Sequence, residues 1–282
     1  MSKSSRRRAR TKARKQAAGR HVRTEPVRVK AAAVAPRITG PVNVLPRRSS
    51  IWTIGAIALR ELVALLRAPL GWGIAAVFLF FASGFGFIGT VIAGQQASFD
   101  GIYQVINGLL TLALAPLLTL RLRAQGSTRI PARDYELVAG RWLGGFAFYV
   151  LLIAMTLVYV VLLAIFARGQ TLDIGLIGAT YVGLLAVGAA AIAIGVLTSG
   201  AVNNRVVAYV LGLALIGWVW YSTFVAGSFS GTARIDFLDY VSAFNRYQSF
   251  SLGQLALRDA VYFASLSLGA LVLAIPLLRS RR

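Results

Sequence analysis

The sequence contains no cysteine, and its only histidine is His21, close to the N-terminus. These absences exclude disulfide frameworks, thiol nucleophiles, Cys/His metal sites and general base catalysis by histidine. The phosphate-binding pattern G-x-x-x-x-G-K-[ST] is also absent, so the chain has no P-loop of its own. We therefore expect no catalytic activity, no metal site and no cofactor on this chain.

Charged residues are scarce as well, since they make up 14% of the 282 residues while 57% are hydrophobic. A soluble domain usually has about 25% charged residues, so the polar surface here is too small to cover one large soluble body. The charge is unevenly placed, because 15 of the 30 Lys and Arg residues lie in residues 1–50 with a single acid, Glu25. We interpret residues 1–50 as a disordered, basic cytoplasmic tail that contacts anionic lipid headgroups. The tail has no aromatic residue for stacking on bases, so specific nucleic-acid binding is not expected.

Six apolar runs of roughly 20 residues follow, and each is long enough to cross a bilayer as a helix. The period-two alternation of a membrane β-barrel is absent. Residues 51–282 are therefore predicted to form one all-α membrane domain with six transmembrane helices. The predicted spans are Gly71–Ile92, Ile102–Leu120, Trp142–Phe166, Ile174–Leu197, Val206–Val225 and Ala260–Leu278.

A shorter amphipathic stretch, Ile51–Arg67, precedes the first run. Its apolar residues recur at roughly helical spacing and are mixed with Arg60, Glu61 and Arg67, which makes it too short and too charged to span the bilayer. We predict a helix that lies in the membrane interface and ends where Pro69 turns the chain into the membrane.

The loop charges predict the orientation. The basic tail and the loop Arg121–Arg141, which has five arginines, lie on one side of the predicted spans, whereas the loops on the other side have few basic residues or balance them with acids. The positive-inside rule then places both termini in the cytoplasm of a multi-pass plasma-membrane protein.

Two local patterns are interpreted structurally rather than chemically. The glycines of Gly84-Phe-Gly86-Phe-Ile-Gly89, of Gly140-Arg-Trp-Leu-Gly144 and of the pair Gly183 and Gly188 are expected to let helices approach closely. No acid falls near the middle of a predicted span, which disfavours a proton relay. Arg258 and Asp259 are interpreted as an ion pair at the membrane interface that contributes little stability.

Five motifs follow one another along residues 50–280. They are Ala58-Leu-Arg-Glu-Leu62 with Arg67-Ala-Pro-Leu70, Ala115-Pro-Leu-Leu-Thr-Leu-Arg-Leu122, Val138-Ala-Gly-Arg-Trp-Leu143, Gly195-Val-Leu-Thr-Ser199, and Ser242-Ala-Phe-Asn-Arg-Tyr-Gln-Ser-Phe250 with Leu257-Arg-Asp-Ala-Val-Tyr262. In this order they resemble the motifs of one known family, the membrane subunits of ABC-2 type transporters, and in particular its branch of gliding-motility and copper-enzyme-maturation permeases.

The resemblance implies half of an ATP-driven exporter. Two permease subunits, identical or different, would pair, and a separate cytoplasmic ABC ATPase would bind the ATP and magnesium that this chain does not. By position, the residues implied to dock on the ATPase are Arg60, Glu61, Arg121, Arg123, Gly126, Thr128, Arg133 and Asp134. The residues implied to belong to a re-entrant segment on the outer side are Phe244, Asn245, Phe250, Arg258 and Asp259.

The sequence departs from the family in the loop after the second predicted span. The acidic run usual in the family is replaced by Arg123 and Gln125, and the leucine-rich helix that follows is shortened almost to Arg129-Ile-Pro131. Because this loop is a docking element in the family, a second hypothesis stays open. In that hypothesis the chain is a membrane scaffold that transports nothing and recruits partners through its basic tail.

Overall fold

A computed structural model describes residues 49–92, 103, 106–108, 133–166, 173–202, 204–226, 238 and 240–279. The predicted disorder of the tail, all but four residues of the predicted span Ile102–Leu120 and most of the Arg121–Arg141 loop lie outside these residues. That loop portion includes the predicted docking residues Arg121, Arg123, Gly126 and Thr128.

Every regular element in the described part of the chain is helical. The helices are α1 (Ser50–Arg67), α2 (Pro69–Phe81), α3 (Asp134–Phe166), α4 (Ile174–Ala201), α5 (Arg205–Ala226), α6 (Ala243–Ser251) and α7 (Leu257–Arg279), and α2 continues as a π-helical segment, Ala82–Ile92. The prediction of an all-α protein is confirmed for these ranges.

Four of these helices are long and apolar enough to cross a membrane. The stretches that qualify within the described ranges are Asp134–Ile165, Ile174–Ala201, Arg205–Thr223 and Leu257–Leu278. They coincide with the third to sixth predicted spans. The first predicted span meets the same test only together with α1, as a bent pair, and only four residues of the second are described. The total of six crossings therefore stays a prediction.

The chain turns sharply between α1 and α2, as the proline predicts. Helix α1 ends at Arg67, Ala68 is extended (ψ 138°), and Pro69 occupies the first turn of α2, where its missing N–H costs no hydrogen bond. The two helix axes differ by 71°. Whether α1 lies in the membrane interface stays a prediction.

Helix α3 begins eight residues before its predicted span. Residues Asp134–Arg141, predicted to end a loop, form its first two turns. At 1.5 Å per residue, its 33 residues reach about 50 Å, which exceeds the hydrocarbon thickness of roughly 30 Å. The polar N-terminal turns pack against α1, and the helix is long enough for these turns to extend beyond the hydrocarbon.

Helix α4 is the centre of the described helices, because it contacts α3, α5, α6 and α7. About 67% of its most apolar window is buried, compared with 39% for α3 and less for α5 and α7. Helices α3 and α4 run antiparallel, since Trp142 donates a hydrogen bond to the Ala189 carbonyl, Tyr149 to the Leu184 carbonyl, and Thr156 pairs with Tyr181.

Candidate functional site

The described residues that the resemblance singles out lie in or beside two regions. We name them the α1–α3 junction (Ser50, Ile57, Glu61, Glu136, Gly140, Arg141 and Gly144) and the α6–α7 cluster (Tyr240, Arg246, Arg258, Asp259 and Tyr262). The first lies near the N-terminus of α3. The second adjoins α6, which packs on α4 near Gly183. Helix α1 packs on α3 around Trp142, which bonds to Ala189 of α4, whereas α6 packs on α4 at Gly183. The two contacts are therefore about 10 Å apart along the bundle.

Glycines let α1 lie directly on α3. A Cβ atom built on Gly140 would fall 2.7 Å from the Ile57 side chain, and one on Gly144 would fall 2.7 Å from Glu61 Cβ and 2.9 Å from the Ala58 carbonyl oxygen. Real Cβ atoms essentially never lie closer than 3.0 Å to another non-bonded heavy atom, so any larger residue at these positions would push α1 away. The expected role of Gly140 and Gly144 in close helix approach is confirmed.

The Glu61 carboxyl is enclosed by this contact. Glu61 is 3% exposed, and its Oε2 atom has no hydrogen-bond partner among the described residues. Helix α1 is not among the four candidate spans. Burial raises the pKa of the Glu61 carboxyl above its ordinary value of 4.5, and the nearby Arg141 and Arg60 guanidinium groups partly offset this by lowering it. The neighbouring Arg60 is exposed. The two neighbouring residues thus point to different sides of α1: Arg60 is accessible to a partner, and Glu61 faces α3.

The N-terminal ends of α1 and α3 are also joined. The hydroxyl groups of Ser50 and Tyr135 lie 2.9 Å apart, and Glu136 Oε2 accepts a hydrogen bond of 2.9 Å from the Arg133 backbone N–H. The second bond satisfies a donor that would otherwise be unpaired at the start of the helix. Of the predicted docking residues here, Arg133 is exposed and Asp134 is half-buried.

The α6–α7 cluster is built around a buried carboxylate. Asp259 is fully buried in the first turn of α7, and its Oδ1 atom lies 3.0 Å from Arg246 Nη1 and 3.5 Å from Arg258 Nε. The Arg246 side chain is only 14% exposed, whereas that of Arg258 is 73% exposed. Asp259 Oδ2 has no hydrogen-bond partner in the described part of the chain.

Two tyrosine rings flank the Arg246 guanidinium. Its central carbon lies 4.7 Å from the ring centre of Tyr240 and 5.8 Å from that of Tyr262, distances at which a cation is attracted to an aromatic face. The Tyr262 hydroxyl donates a hydrogen bond to the Val241 carbonyl. Arg246 is thus held by one carboxylate and two rings, and it connects α6 to the start of α7.

Helix α6 is held at both ends, by hydrogen bonds at its N-terminus and by packing at its C-terminus. Ser242 caps its N-terminus through the Asn245 N–H, and the Asn245 side chain donates a bond of 3.0 Å to Thr223 of α5. At the other end, Phe250 packs on Gly183 of α4, where a Cβ atom would lie 2.7 Å from Phe250 Cβ.

Gly253 then ends this segment at φ +79°, a left-handed conformation that glycine adopts without steric cost. The expected close approach at Gly183 is confirmed, and so is that at Gly188, which faces the Tyr149 ring. Gly84, in contrast, has no neighbouring atom within 4 Å in the described structure.

The structure brings the five predicted outer-segment residues into one region. Asn245 and Phe250 anchor α6, the Phe244 ring meets Trp220 of α5 at 5.9 Å, and Arg258 and Asp259 start α7. Arg258 is indeed a minor, exposed partner of Asp259, but the main ion pair is buried and uses Arg246, which the sequence reasoning did not select. The sequence did offer one sign of such pairing, because residues 226–259 contain equal numbers of arginines and aspartates.

The described residues offer little for metal chemistry, because no three His, Cys, Asp or Glu side chains among them come together. What the two regions provide is mechanical and electrostatic: a helix locked onto a span in one, and a buried ion pair with an exposed arginine in the other.

A scan against protein-family models and a search of curated proteins found no match to this chain.

Proposed function

We propose that this chain is the membrane-spanning permease subunit of an ABC exporter in the plasma membrane, with both termini in the cytoplasm. It would pair with a second permease subunit and move its substrate outward with energy from a separate ATPase subunit, which binds ATP and magnesium. The motif resemblance supports this proposal, and the four apolar helices fit a multi-pass membrane protein.

The observation that carries the proposal is the α1–α3 junction. An ATPase can drive transport only if its movement reaches the membrane helices. Helix α1 is outside the four candidate spans, presents the exposed Arg60, and contacts α3 so closely at Gly140 and Gly144 that the two helices must move together. A force applied to α1 would therefore be transmitted to α3.

In this mechanism ATP shifts the permease between two conformations. A ligand changes such an equilibrium only by binding one state more tightly than the other. The ATPase subunits would close on ATP, pull on α1 and on the segment that leads into α3, and so favour one arrangement of the spans.

Co-purification tests the proposal directly. The tagged chain, purified from native membranes in mild detergent, is expected to recover a P-loop ATPase that is identified by mass spectrometry. Reversing the charge of the exposed docking residue, Arg60→Glu, is expected to reduce this recovery severalfold. Arg205→Glu, at an exposed arginine on α5, is the matched control and should have no effect.

Two results would contradict the proposal. Recovery of stable partners without any P-loop ATPase would favour the scaffold hypothesis, especially if deleting residues 1–47 abolished that recovery. Equal loss of the ATPase with Arg60→Glu and Arg205→Glu would show that α1 is not a specific docking element.

A further inference from the structure

Helix α1 is held in the fold mainly by one neighbour. Among the described helices it lies on α3, with a smaller contact to α2 across the bend at Ala68. The opposite face of α1 is exposed at Ile51, Trp52, Leu59 and Arg60. A movement of α1 away from α3 would therefore break chiefly one interface among these helices.

That interface encloses an acid whose hydrogen bonding is incomplete. Glu61 packs on Gly144 of α3 and is 3% exposed, and its Oε2 atom has no hydrogen-bond partner in the described part of the chain. An ionised carboxylate is costly to bury without such partners, whereas its protonated form is much less so. The close contact of the two helices therefore suits the protonated form of this side chain.

Two arginines face this carboxyl among the described residues, Arg60 from α1 and Arg141 from α3. Their charges lower its pKa, but burial has the larger effect and raises the pKa above 4.5. Residues 69–92, which form α2 and its continuation, contain no ionisable side chain. Tyr135 and Glu136, at the start of α3, contact Ser50, which lies about 16 Å along α1 from the carboxyl. Burial thus favours the protonated form, and the two arginines oppose it.

We propose that Glu61 is a proton-controlled switch of the α1–α3 junction: it holds a proton while α1 lies on α3, and it releases that proton to water when α1 moves away. In the open state water can donate hydrogen bonds to the ionised carboxylate, so the cost of its charge disappears. A proton that binds the closed state more tightly also favours that state. Acid therefore keeps the junction closed, and a rise in pH favours its opening.

The switch lies within this chain and does not require the proposed export function, since a scaffold would have the same junction. If α1 is also the docking element of an ATPase, each movement that lifts α1 from α3 would release one proton.

The accessibility of an introduced cysteine measures the opening. The chain has no cysteine, and Ile57 is fully buried against Gly140, so Ile57→Cys should react with a maleimide only when the junction opens. Ala56→Cys, at the exposed neighbouring position, reports the reactivity of an accessible thiol at each pH. The ratio of the two labelling rates, measured on the full chain in nanodiscs, follows the population of the open state.

The labelling ratio is expected to rise by up to about tenfold per pH unit above pH 4.5 and to level off above the closed-state pKa of Glu61. With Glu61→Gln the ratio should not change with pH. Arg141→Gln should move the levelling-off to higher pH, because a positive charge that lowers the pKa is lost. Glu136→Gln is the matched control and should keep the rise, since the Glu136 carboxyl already accepts a hydrogen bond from the Arg133 N–H.

A further cysteine separates local opening from unfolding of the whole bundle. Ala193→Cys, at a fully buried position of α4, should stay unlabelled over the same pH range. A ratio that does not rise with pH, an equal rise with Glu61→Gln, or parallel labelling of Ala193→Cys would each overturn the proposal. Because the labelling needs no ATPase, its outcome is separate from that of the co-purification.

Discussion

At the scale of single residues, the buried carboxylates of Asp259 and Glu61 differ in their partners. Asp259 has an arginine nitrogen 3.0 Å away, whereas the effect of burial on the pKa of the Glu61 carboxyl outweighs that of the Arg141 and Arg60 guanidinium groups. Removal of one partner from a buried ion pair leaves a charge without compensation. Neutralising the carboxylate should therefore lower the free energy of unfolding at Asp259, where Arg246 would lose its partner, and raise it at Glu61.

Loss of Arg246 should destabilise the protein. We expect Arg246→Met to lower the free energy of unfolding by about 3 kcal/mol, because the buried Asp259 would lose its main partner. Arg258→Gln, at the exposed partner, should cost less than about 1 kcal/mol. Thermal unfolding in detergent compares the two, and similar losses for both variants would show that the buried pair is not the dominant one.

Glu61 should make stability depend on pH. Its pKa in the folded protein is raised above 4.5, so the folded state binds the proton more tightly than the unfolded state. The contribution of Glu61 to stability is then largest below pH 4.5 and is lost as the pH rises through the folded pKa. Glu61→Gln cannot ionise, so its melting temperature should fall less across that interval than that of the unmodified protein. Parallel melting curves from pH 4 to 8 would contradict this.

At the scale of helices, close packing depends on where glycines face a neighbour. The glycine pairs at 140 and 144 and at 183 and 188 meet a helix or a ring, whereas Gly178 of α4 has nothing within 4 Å. Replacing glycine by alanine should therefore lower the stability of the protein at the packed positions and leave it unchanged or raise it at the open one.

A methyl group added at the α1–α3 junction should separate the helices. Gly144→Ala is expected to cost about 1–3 kcal/mol, since its Cβ would meet the Ala58 carbonyl and Glu61. Gly178→Ala should be neutral or stabilising by up to about 1 kcal/mol, because alanine is the better helix former. Thermal unfolding of both variants checks this. If α1 also transmits force, Gly144→Ala should uncouple ATP hydrolysis from transport in the reconstituted complex.

The helices themselves could be predicted to a large extent, because an apolar run is a local property. The spans that match α4, α5 and α7 come directly from such runs, and Pro69 predicts the turn after α1. The start of α3 at Asp134 was missed, since its first turns are polar and are stabilised by α1, more than 70 residues earlier in the chain. Arg246 was missed for the same reason: its partner is 13 residues away, and only the fold brings the two together.

At the scale of the whole molecule, orientation is the property that most needs a measurement. The chain has no cysteine, so a single introduced cysteine reports one position without background. Gln254→Cys, between α6 and α7, should react with a membrane-impermeant maleimide in intact cells. Ser49→Cys, before α1, should react only after the membrane is opened. Both side chains are exposed, and the reverse pattern would invert the topology.

The pairing of α4 with α7 also has a consequence for how the protein is made. This pairing is the most extensive helix contact in the described structure, yet more than fifty residues separate the two helices in the chain. During synthesis α4 therefore enters the membrane well before its main partner exists, with its alanines and glycines facing lipid or the insertion machinery. Nascent chains halted before Leu257 should be unable to complete the bundle, and they should be the forms that membrane quality-control proteases remove first.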